Sequence, residues 1–226
     1  MTVSHLTNGV GYHFYLWAEN AYDFGNPAIS QTPVAPRTIP GAARIGTPRA
    51  GNGAVTVWFA APLSNGGAPI TANYVRIYRG ATFVKTVAAA AKATSLTVTG
   101  LPNGVAYNFA VAAANAAGVG PQSAHSIAVV PRTVPGAPRS VSAAAAVRAA
   151  TVRWAAPASN GGSAITGYYI RVYRGSTLAK TIWVRPTTSA VVSGLTSRVG
   201  YRFSVAAINA AGTGPGSALT GTVTAR

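Results

Sequence analysis

Apolar and polar residues alternate with a period of two along several short stretches of this chain, as they do in half-buried β-strands. Residues 54–62 read AVTVWFAAP, and residues 106–115 read AYNFAVAAAN. In the second stretch Tyr107, Phe109 and Val111 fall on one face. Clusters of Gly, Pro, Asn and Ser separate such stretches at intervals of about 8–12 residues. The pattern therefore predicts many short antiparallel strands joined by turns.

The same segments return after about 95 residues, which indicates a repeated unit. Residues 61–80, APLSNGGAPITANYVRIYRG, return as residues 156–175, APASNGGSAITGYYIRVYRG. Residues 100–123 return in the same way as residues 194–217. A unit of this length is too long for a solenoid repeat, so we expect each complete copy to form a domain of its own.

The repeat also predicts the domain boundaries. One complete domain is expected at 37–132 and a second at 133–226. Residues 5–27, HLTNGVGYHFYLWAENAYDFGNP, match the last part of the unit. Residues 1–36 are therefore interpreted as the C-terminal part of a truncated third copy.

A tryptophan follows the first apolar positions of the second strand in both complete copies, and we expect Trp58 and Trp154 to lie in the two cores. Val152 and Trp154 share a face of the strand in the second copy. In the first copy Trp58 lies between Val57 and Phe59, so a one-residue slip of the strand reverses its face. A core position for Trp58 thus requires a local irregularity in that strand.

The order of these motifs resembles the fibronectin type III domain. A Trp on the second strand is followed by Pro and SNGGxxIT, by a Tyr-rich strand and by GLxxxxxYxFxVxAxNxxGxG. The sequence is most similar to the Ala-rich versions found in actinobacteria and their phages. The resemblance implies an all-β chain of tandem immunoglobulin-like antiparallel β-sandwiches with about seven strands each.

The resemblance also implies roles for particular residues. Tyr107 and Tyr201 match the tyrosine corner of the family. Asn73 departs from the pattern, because the family has Tyr at this position and the second copy has Tyr168. The local packing of the first complete domain is left open by that departure. Core positions are implied for Trp58, Trp154, Leu101 and Leu195.

A candidate binding face lies on the outward side of the third strand, where aromatic and cationic residues alternate. We call this set the Tyr–Arg ladder; it consists of Tyr74, Arg76, Tyr78 and Arg79 in the first complete copy and Tyr169, Arg171, Tyr173 and Arg174 in the second. The neighbouring strand is expected to present Ala110 and Ala112, or Ser204 and Ala206, beside it. Such a ladder suits stacking on sugars or bases and pairing with phosphates. The competing interpretation is cross-strand packing, in which Arg stems cover Tyr rings.

Charge is distributed unevenly along the chain. It contains 18 Lys and Arg but only 2 Asp and Glu. Glu19 and Asp23 are the two acids, and every basic residue lies at Arg37 or beyond. Such a charge attracts an anionic polymer or an acidic protein surface, for example teichoic acid, acidic polysaccharide, lipid head groups or nucleic acid. The cations are spread along both copies, which argues against sequence-specific recognition of nucleic acid.

The residue inventory argues against an enzyme. The chain has no Cys, and residues 37–226 contain no carboxylate side chain and a single histidine, His125. General acid–base catalysis, a Ser–His–acid triad and a metal site all need such groups. We therefore predict no catalytic residue, no cofactor and no metal. No apolar run approaches the about 20 residues of a membrane span.

Residues 1–36 present both faces of an incomplete domain. Two strands alone are not stable in water. The outward side carries His13, Tyr15 and Trp17, whereas the equivalent residues of the first complete copy are Asn108, Ala110 and Ala112. Three interpretations remain open: a fragment of a longer array, a segment covered by the next domain or by another subunit in a homo-oligomer or lattice, and a true start further upstream.

These observations support two functional hypotheses. The first is a non-enzymatic structural spacer and adhesion module on a bacterial or virion surface, with basic faces that contact an anionic surface or an acidic protein lattice. The second is an accessory, carbohydrate-contacting region of a secreted polysaccharide-degrading enzyme whose catalytic domain is absent here. Both place the protein outside the cell, on its surface or in a virion. The short joints RTIPG and RTVPG favour a semi-rigid array.

Overall fold

The computed structural model describes residues 2–226, and proximity of Cα atoms divides these residues into two units. The first unit contains residues 2–49, 56–98 and 106–129. The second contains residues 50–55, 99–105 and 130–226. No helix occurs among the described residues.

The N-terminal segment contains little regular structure. Its strands β1 (Tyr15–Leu16) and β2 (Ala28–Ile29) pair antiparallel and are exposed. Isolated bridges join Tyr12 to Val34 and Glu19 to Phe24.

The first complete copy forms two antiparallel sheets. Its strands are β3 (Arg44–Ile45), β4 (Arg49–Gly51), β5 (Ala54–Ala60), β6 (Ala72–Arg79), β7 (Thr82–Ala90), β8 (Ser95–Thr99), β9 (Asn108–Asn115) and β10 (Gly118–Val119). One sheet has the order β3-β5-β4, with β8 also paired to β5. The other has the order β10-β9-β6-β7.

The second complete copy repeats this plan. Its strands are β11 (Arg139–Ala146), β12 (Ala149–Ala155), β13 (Ile165–Arg174), β14 (Thr177–Val184), β15 (Ser189–Ser193), β16 (Gly200–Asn209), β17 (Gly212–Gly216) and β18 (Val223–Thr224). The sheets have the orders β11-β12-β15 and β14-β13-β16-β17, with β18 also paired to β16. Each copy has one neighbouring strand that is divided into two short pieces. In the first copy β3 and β4 both pair with β5, and in the second β17 and β18 both pair with β16. The prediction of antiparallel sandwiches with about seven strands each is confirmed.

Apolar residues from both sheets of the second copy meet in one core. Val152, Ile170, Val192 and Phe203 are fully buried there. Each such side chain contributes about 1.5–3 kcal/mol relative to an exposed position. The core positions implied for Leu101 and Leu195 are also confirmed.

The expected core position of Trp58 is wrong. Its side chain is 41% exposed, while Val57 and Phe59 on either side of it are buried. Strand β5 keeps a regular alternation, so the pleat places Trp58 on the opposite face from its neighbours. The 95-residue offset of the repeat in fact aligns Phe59 with Trp154, and Trp154 is buried as expected.

Asn73 is accommodated by hydrogen bonds to the backbone. In the second copy the rings of Trp154 and Tyr168 contact each other edge to face, with centroids 5.3 Å apart. Asn73 occupies the position of Tyr168 in the first copy and is buried. Its Nδ2 donates to the carbonyl oxygens of Ala90 and Ala91, each at 3.1 Å. The polar side chain is therefore satisfied inside the sandwich.

The tyrosine corner forms fully in only one of the two complete copies. The Tyr201 hydroxyl accepts a hydrogen bond from the backbone N–H of Thr196 at 3.2 Å. Hydrogen bonds from Thr196, first from its side chain and then from its backbone, lower the pKa of the Tyr201 phenol. Tyr107 is buried at the equivalent position, but Pro102 replaces Thr196 and has no N–H to donate.

The SNGG segment is a turn held against the start of each copy. Gly66 has a φ of 71°, and a Cβ there would collide with the carbonyl oxygen of Thr38. The Asn115 amide donates to the carbonyl oxygens of Thr38 and Asn65, at 2.8 and 2.7 Å. The second copy repeats this arrangement with Gly161, Thr133, Asn209 and Asn160.

Candidate functional site

The Tyr–Arg ladder lies on the outward face of the β10-β9-β6-β7 sheet and of its counterpart in the second copy. Along β6, Asn73, Val75 and Ile77 are buried, so the residues between them point outward. Strand β13 shows the same alternation. The predicted orientation of the ladder is therefore found in both copies, whereas its role in binding stays a prediction.

Small residues lie beside the ladder, as expected. In the first copy Tyr74 is opposite Ala112 and Arg76 is opposite Ala110 across β9. Both alanines are fully buried. In the second copy Tyr169 is opposite Ala206 and Arg171 is opposite Ser204.

The first copy engages its ladder residues with its own side chains. Gln122 Oε1 accepts hydrogen bonds from the Tyr78 hydroxyl at 2.8 Å and from Arg76 Nη1 at 3.3 Å. The Tyr78 ring lies 4.3 Å from the ring of His125 and 5.7 Å from that of Phe83. For Arg76 and Tyr78 the structure therefore shows packing within the sheet.

His125 belongs to the same cluster. Its Nδ1 lies 3.0 Å from the side-chain amide of Asn108. With the amide oxygen facing the imidazole, Asn108 accepts from Nδ1–H and donates to the carbonyl oxygens of Tyr78 and Gly80, each at 3.1 Å. The single histidine of the complete copies thus has a structural contact.

The second copy lacks these partners. Gly216 stands where the first copy has Gln122, and Leu219 stands where it has His125. Arg171 Nη1 lies above Gly216, 3.3 Å from where a Cβ would be. Among residues 2–226 the side chains of Arg171 and Tyr173 have no hydrogen-bond partner. Tyr169, Arg171 and Tyr173 are half-buried, as Tyr74, Arg76 and Tyr78 are in the first copy, so the two ladders differ in their side-chain partners and not in their exposure.

Trp183 adds a large aromatic surface that the sequence reasoning missed. It lies on β14 directly opposite Tyr169, and its side chain is 54% exposed. The equivalent residue of the first copy is Ala88, opposite Tyr74. Comparing these two positions of the repeat would have singled out Trp183 from the sequence.

Both complete copies are rich in cations. Residues 37–132 contain eight Lys and Arg, and residues 133–226 contain ten. Arg79 and Arg174 are exposed at the ends of their strands. In the part of the chain that the structure describes, no three His, Asp or Glu side chains gather to hold a metal ion. The surface is suited to noncovalent contact with anionic groups and planar or apolar rings.

The described residues also contain no helix that is long and apolar enough to cross a membrane.

Comparison with known proteins matches the fibronectin type III domain model to residues 40–129 and 136–222. A Kelch domain-containing protein of Saccharolobus solfataricus is 36% identical over 119 residues, which cover 53% of this chain and 16% of that protein. Endoglucanase B of Cellulomonas fimi is 34% identical over 137 residues, which cover 56% of this chain and 13% of that protein. Chitinase A1 of Niallia circulans is 33% identical over 144 residues, which cover 60% of this chain and 19% of that protein.

This chain therefore spans less than a fifth of the length of these curated relatives. A crystal structure of titin domains aligns with 99% of the chain and 78% of its own length, at 21% identity and a TM-score of 0.52. The FN1-FN3 domains of chicken CNTN1 align with 95% of the chain and 77% of their own, at 19% identity and a TM-score of 0.46. Since the family model matches both complete copies, which make up more than half of the sequence, the chain belongs to the fibronectin type III family.

Proposed function

We propose that this chain is a non-enzymatic spacer and adhesion module on a bacterial or virion surface, and that its basic faces contact an anionic surface or an acidic protein lattice. The observation that carries the proposal is uncompensated charge. Residues 37–226 contain all 18 Lys and Arg and no Asp or Glu. No carboxylate side chain occurs within the complete copies to neutralise their cations, so their positive field extends into solvent.

The charge predicts how the contact behaves. One pair of unit charges 4 Å apart in water contributes only about 1 kcal/mol, so tight binding needs many such pairs. Exposed pairs are also screened by salt over about 8 Å at physiological ionic strength. Binding through these faces is therefore multivalent and strongly salt-dependent.

Chromatography on immobilised dextran sulfate tests this proposal, with uncharged dextran as the matched control. We expect retention on dextran sulfate at about 50 mM salt and release as salt rises, with no retention on dextran. Absence of salt-dependent retention would contradict the proposal.

The second candidate function is an accessory region of a secreted polysaccharide-degrading enzyme. Three relatives favour it: Endoglucanase B and Exoglucanase B of Cellulomonas fimi and Chitinase A1 of Niallia circulans, at 33–35% identity. The catalytic domain then lies outside this sequence, and the ladders touch neutral glycan. Sedimentation with insoluble cellulose or chitin at high salt tests this candidate, and only binding that survives high salt supports it.

We also propose that residues 1–36 contact another subunit, in a homo-oligomer or a lattice. Tyr15 and Trp17 support this: both are exposed, and their rings stack with centroids 5.9 Å apart. Light scattering of the wild type and of the Tyr15→Ser/Trp17→Ser variant tests the contact. We expect an assembly for the wild type and smaller particles for the variant; a monomeric wild type refutes the contact.

A further inference from the structure

We propose that the second complete copy carries a binding site for acidic polysaccharide that the first copy lacks. The site is the Trp183 platform, defined here as Trp183, Tyr169, Arg171 and Tyr173. Sugar rings stack on the two aromatic side chains at one end, and acidic groups of the polymer pair with Arg171. The inference rests on the proposed contact with an anionic polymer and gives that contact a location and a chemical class.

The platform is a continuous row on one face of the sheet. Tyr169, Arg171 and Tyr173 occupy alternate positions of β13, so they lie about 6.6 Å apart along the strand. Trp183 extends the row sideways, because it is the direct cross-strand partner of Tyr169. Rings and a guanidinium group therefore alternate over a length suited to a polymer.

The backbone of the second copy makes room for Trp183. A Cβ at Gly167 would lie 2.7 Å from Trp183 Nε1 and 2.8 Å from the carbonyl oxygen of Val184. The first copy has Ala72 in place of Gly167 and Ala88 in place of Trp183. The missing methyl group lets the indole lie close to the sheet while half of it remains exposed. A side chain held in this way loses little conformational freedom when a ligand binds.

Arg171 is half-buried, and within the described residues its guanidinium group makes no hydrogen bond that would compete with an anion. Its counterpart Arg76 donates to Gln122, whereas Gly216 offers Arg171 no side-chain acceptor. Residues 37–226 also contain no Asp or Glu that could supply a carboxylate acceptor for Arg171. A guanidinium group forms paired hydrogen bonds with carboxylate, sulfate or phosphate groups.

The combination of groups favours acidic polysaccharide over other polymers. Sugar rings have an apolar C–H face that suits the exposed face of an aromatic ring. A neutral glycan would leave Arg171 without an anion. It would also make no use of Arg174, which is exposed at the end of the same strand.

Binding of the full chain to alginate, a polymer of uronic acids, tests the site. Affinity electrophoresis at about 100 mM salt should show about tenfold weaker binding for Trp183→Ala, which leaves the net charge unchanged. A loss of this size is at the lower end of what stacking of one nucleobase on an aromatic side chain contributes. Trp58→Ala is the matched control, because it removes the exposed tryptophan of the other sheet in the first copy. We expect it to bind within about twofold of the wild type. Arg171→Gln should likewise weaken binding more than Arg76→Gln.

A gain-of-function variant tests the same idea without weakening the original site. Ala72→Gly/Ala88→Trp/Gln122→Gly recreates the tryptophan and its space in the first copy and removes the acceptor of Arg76, and we expect it to bind alginate more tightly than the wild type. Thermal unfolding of each variant checks that the fold is retained.

The outcomes separate this inference from the proposed function. Salt-dependent binding of wild type to alginate, with Trp183→Ala and Trp58→Ala equally active, overturns the platform but leaves the charge-based contact intact. Absence of binding to both alginate and dextran sulfate at low salt overturns both. Tighter, Trp183-dependent binding to neutral dextran or to single-stranded DNA would instead assign the platform to another ligand class and refute acidic polysaccharide.

Discussion

Gln122 in the first complete copy and Gly216 in the second occupy the same position of the repeat, but only Gln122 offers the neighbouring ladder residues a hydrogen-bond acceptor. Gln122 accepts hydrogen bonds from Arg76 and Tyr78 and closes the ladder of the first copy. Gly216 has no side chain, so Arg171 has no such partner. Together with His125 and Phe83, whose equivalents in the second copy are Leu219 and Leu178, this position separates a ladder with side-chain partners from one without them.

The interiors of the two copies differ in a related way. The second copy fills its core with the aromatic pair Trp154 and Tyr168, whereas the first uses Phe59 and Asn73. The Asn73 amide bonds to backbone carbonyls. The sandwich tolerates both solutions because each buries apolar surface and satisfies most buried polar groups.

The largest effect is expected at a Phe that occurs in all three copies. Phe203→Ala removes a fully buried ring and should lower the free energy of unfolding by about 3–5 kcal/mol. Phe14→Ala, at the same position of the N-terminal segment, should cost about 1 kcal/mol or less, because Phe14 is only partly buried. Denaturant unfolding followed by circular dichroism measures both, and equal losses would show that residues 1–36 are packed as tightly as a complete copy.

A smaller effect is expected at the asparagine that holds the SNGG turn. Asn209→Ala leaves the carbonyl oxygens of Thr133 and Asn160 without their donor, which should cost about 2 kcal/mol. Asn20, its exposed counterpart in the N-terminal segment, only accepts hydrogen bonds from its own turn. Asn20→Ala should therefore cost about 0.5 kcal/mol in the same measurement, and a similar loss for both variants would argue against the role of the buried amide.

The aromatic core pair should respond more weakly. Trp154→Phe introduces the residue found at the equivalent position of the first copy, and we expect a loss of about 1 kcal/mol. The loss is small because the buried Trp154 Nε1 has no hydrogen-bond partner, so the substitution also removes an unsatisfied donor. Calorimetry measures the change; a loss near that of Trp154→Ala, about 3–5 kcal/mol, would show that the ring volume dominates.

The smallest change is expected on acidification. A carboxylate with a lowered pKa stabilises the folded state above its unfolded pKa, and that stability is lost as pH falls. Residues 37–226 contain no such side chain. The lowered pKa of Tyr201 contributes stability that is fully present above the unfolded phenol value of about 10 and is lost as pH falls through the folded pKa. The unfolding free energy of the complete copies should therefore change by less than about 1 kcal/mol between pH 7 and pH 3; calorimetry showing a steeper fall would contradict this.

Much of the fold follows from local patterns in the sequence. The repeat offset and the period of two predict tandem antiparallel sandwiches, and they also predict the outward orientation of Tyr74 and Arg76, because side chains alternate along any regular strand. The same two patterns, applied together, place Phe59 rather than Trp58 in the core. The error at Trp58 arose from preferring residue type to register.

The Trp183 platform depends on contacts that local patterns do not encode. The pairing of β13 with β14 begins with Arg174 opposite Thr177 and Tyr173 opposite Leu178. A bulge then shifts the register, so that Val172 is opposite Lys180. Continuing without that bulge would place Trp183 opposite Tyr168, on the core side.

The interior of the sandwich explains this shift. Ile182 and Val184 pack against the core of the second copy. With those two residues facing inward, alternation places Trp183 outward, opposite Tyr169. The alternation of side chains is a property of the chain itself. The bulge between β13 and β14 decides which side chains of β14 face inward. Burial of apolar surface against the facing sheet favours the register that contains this bulge.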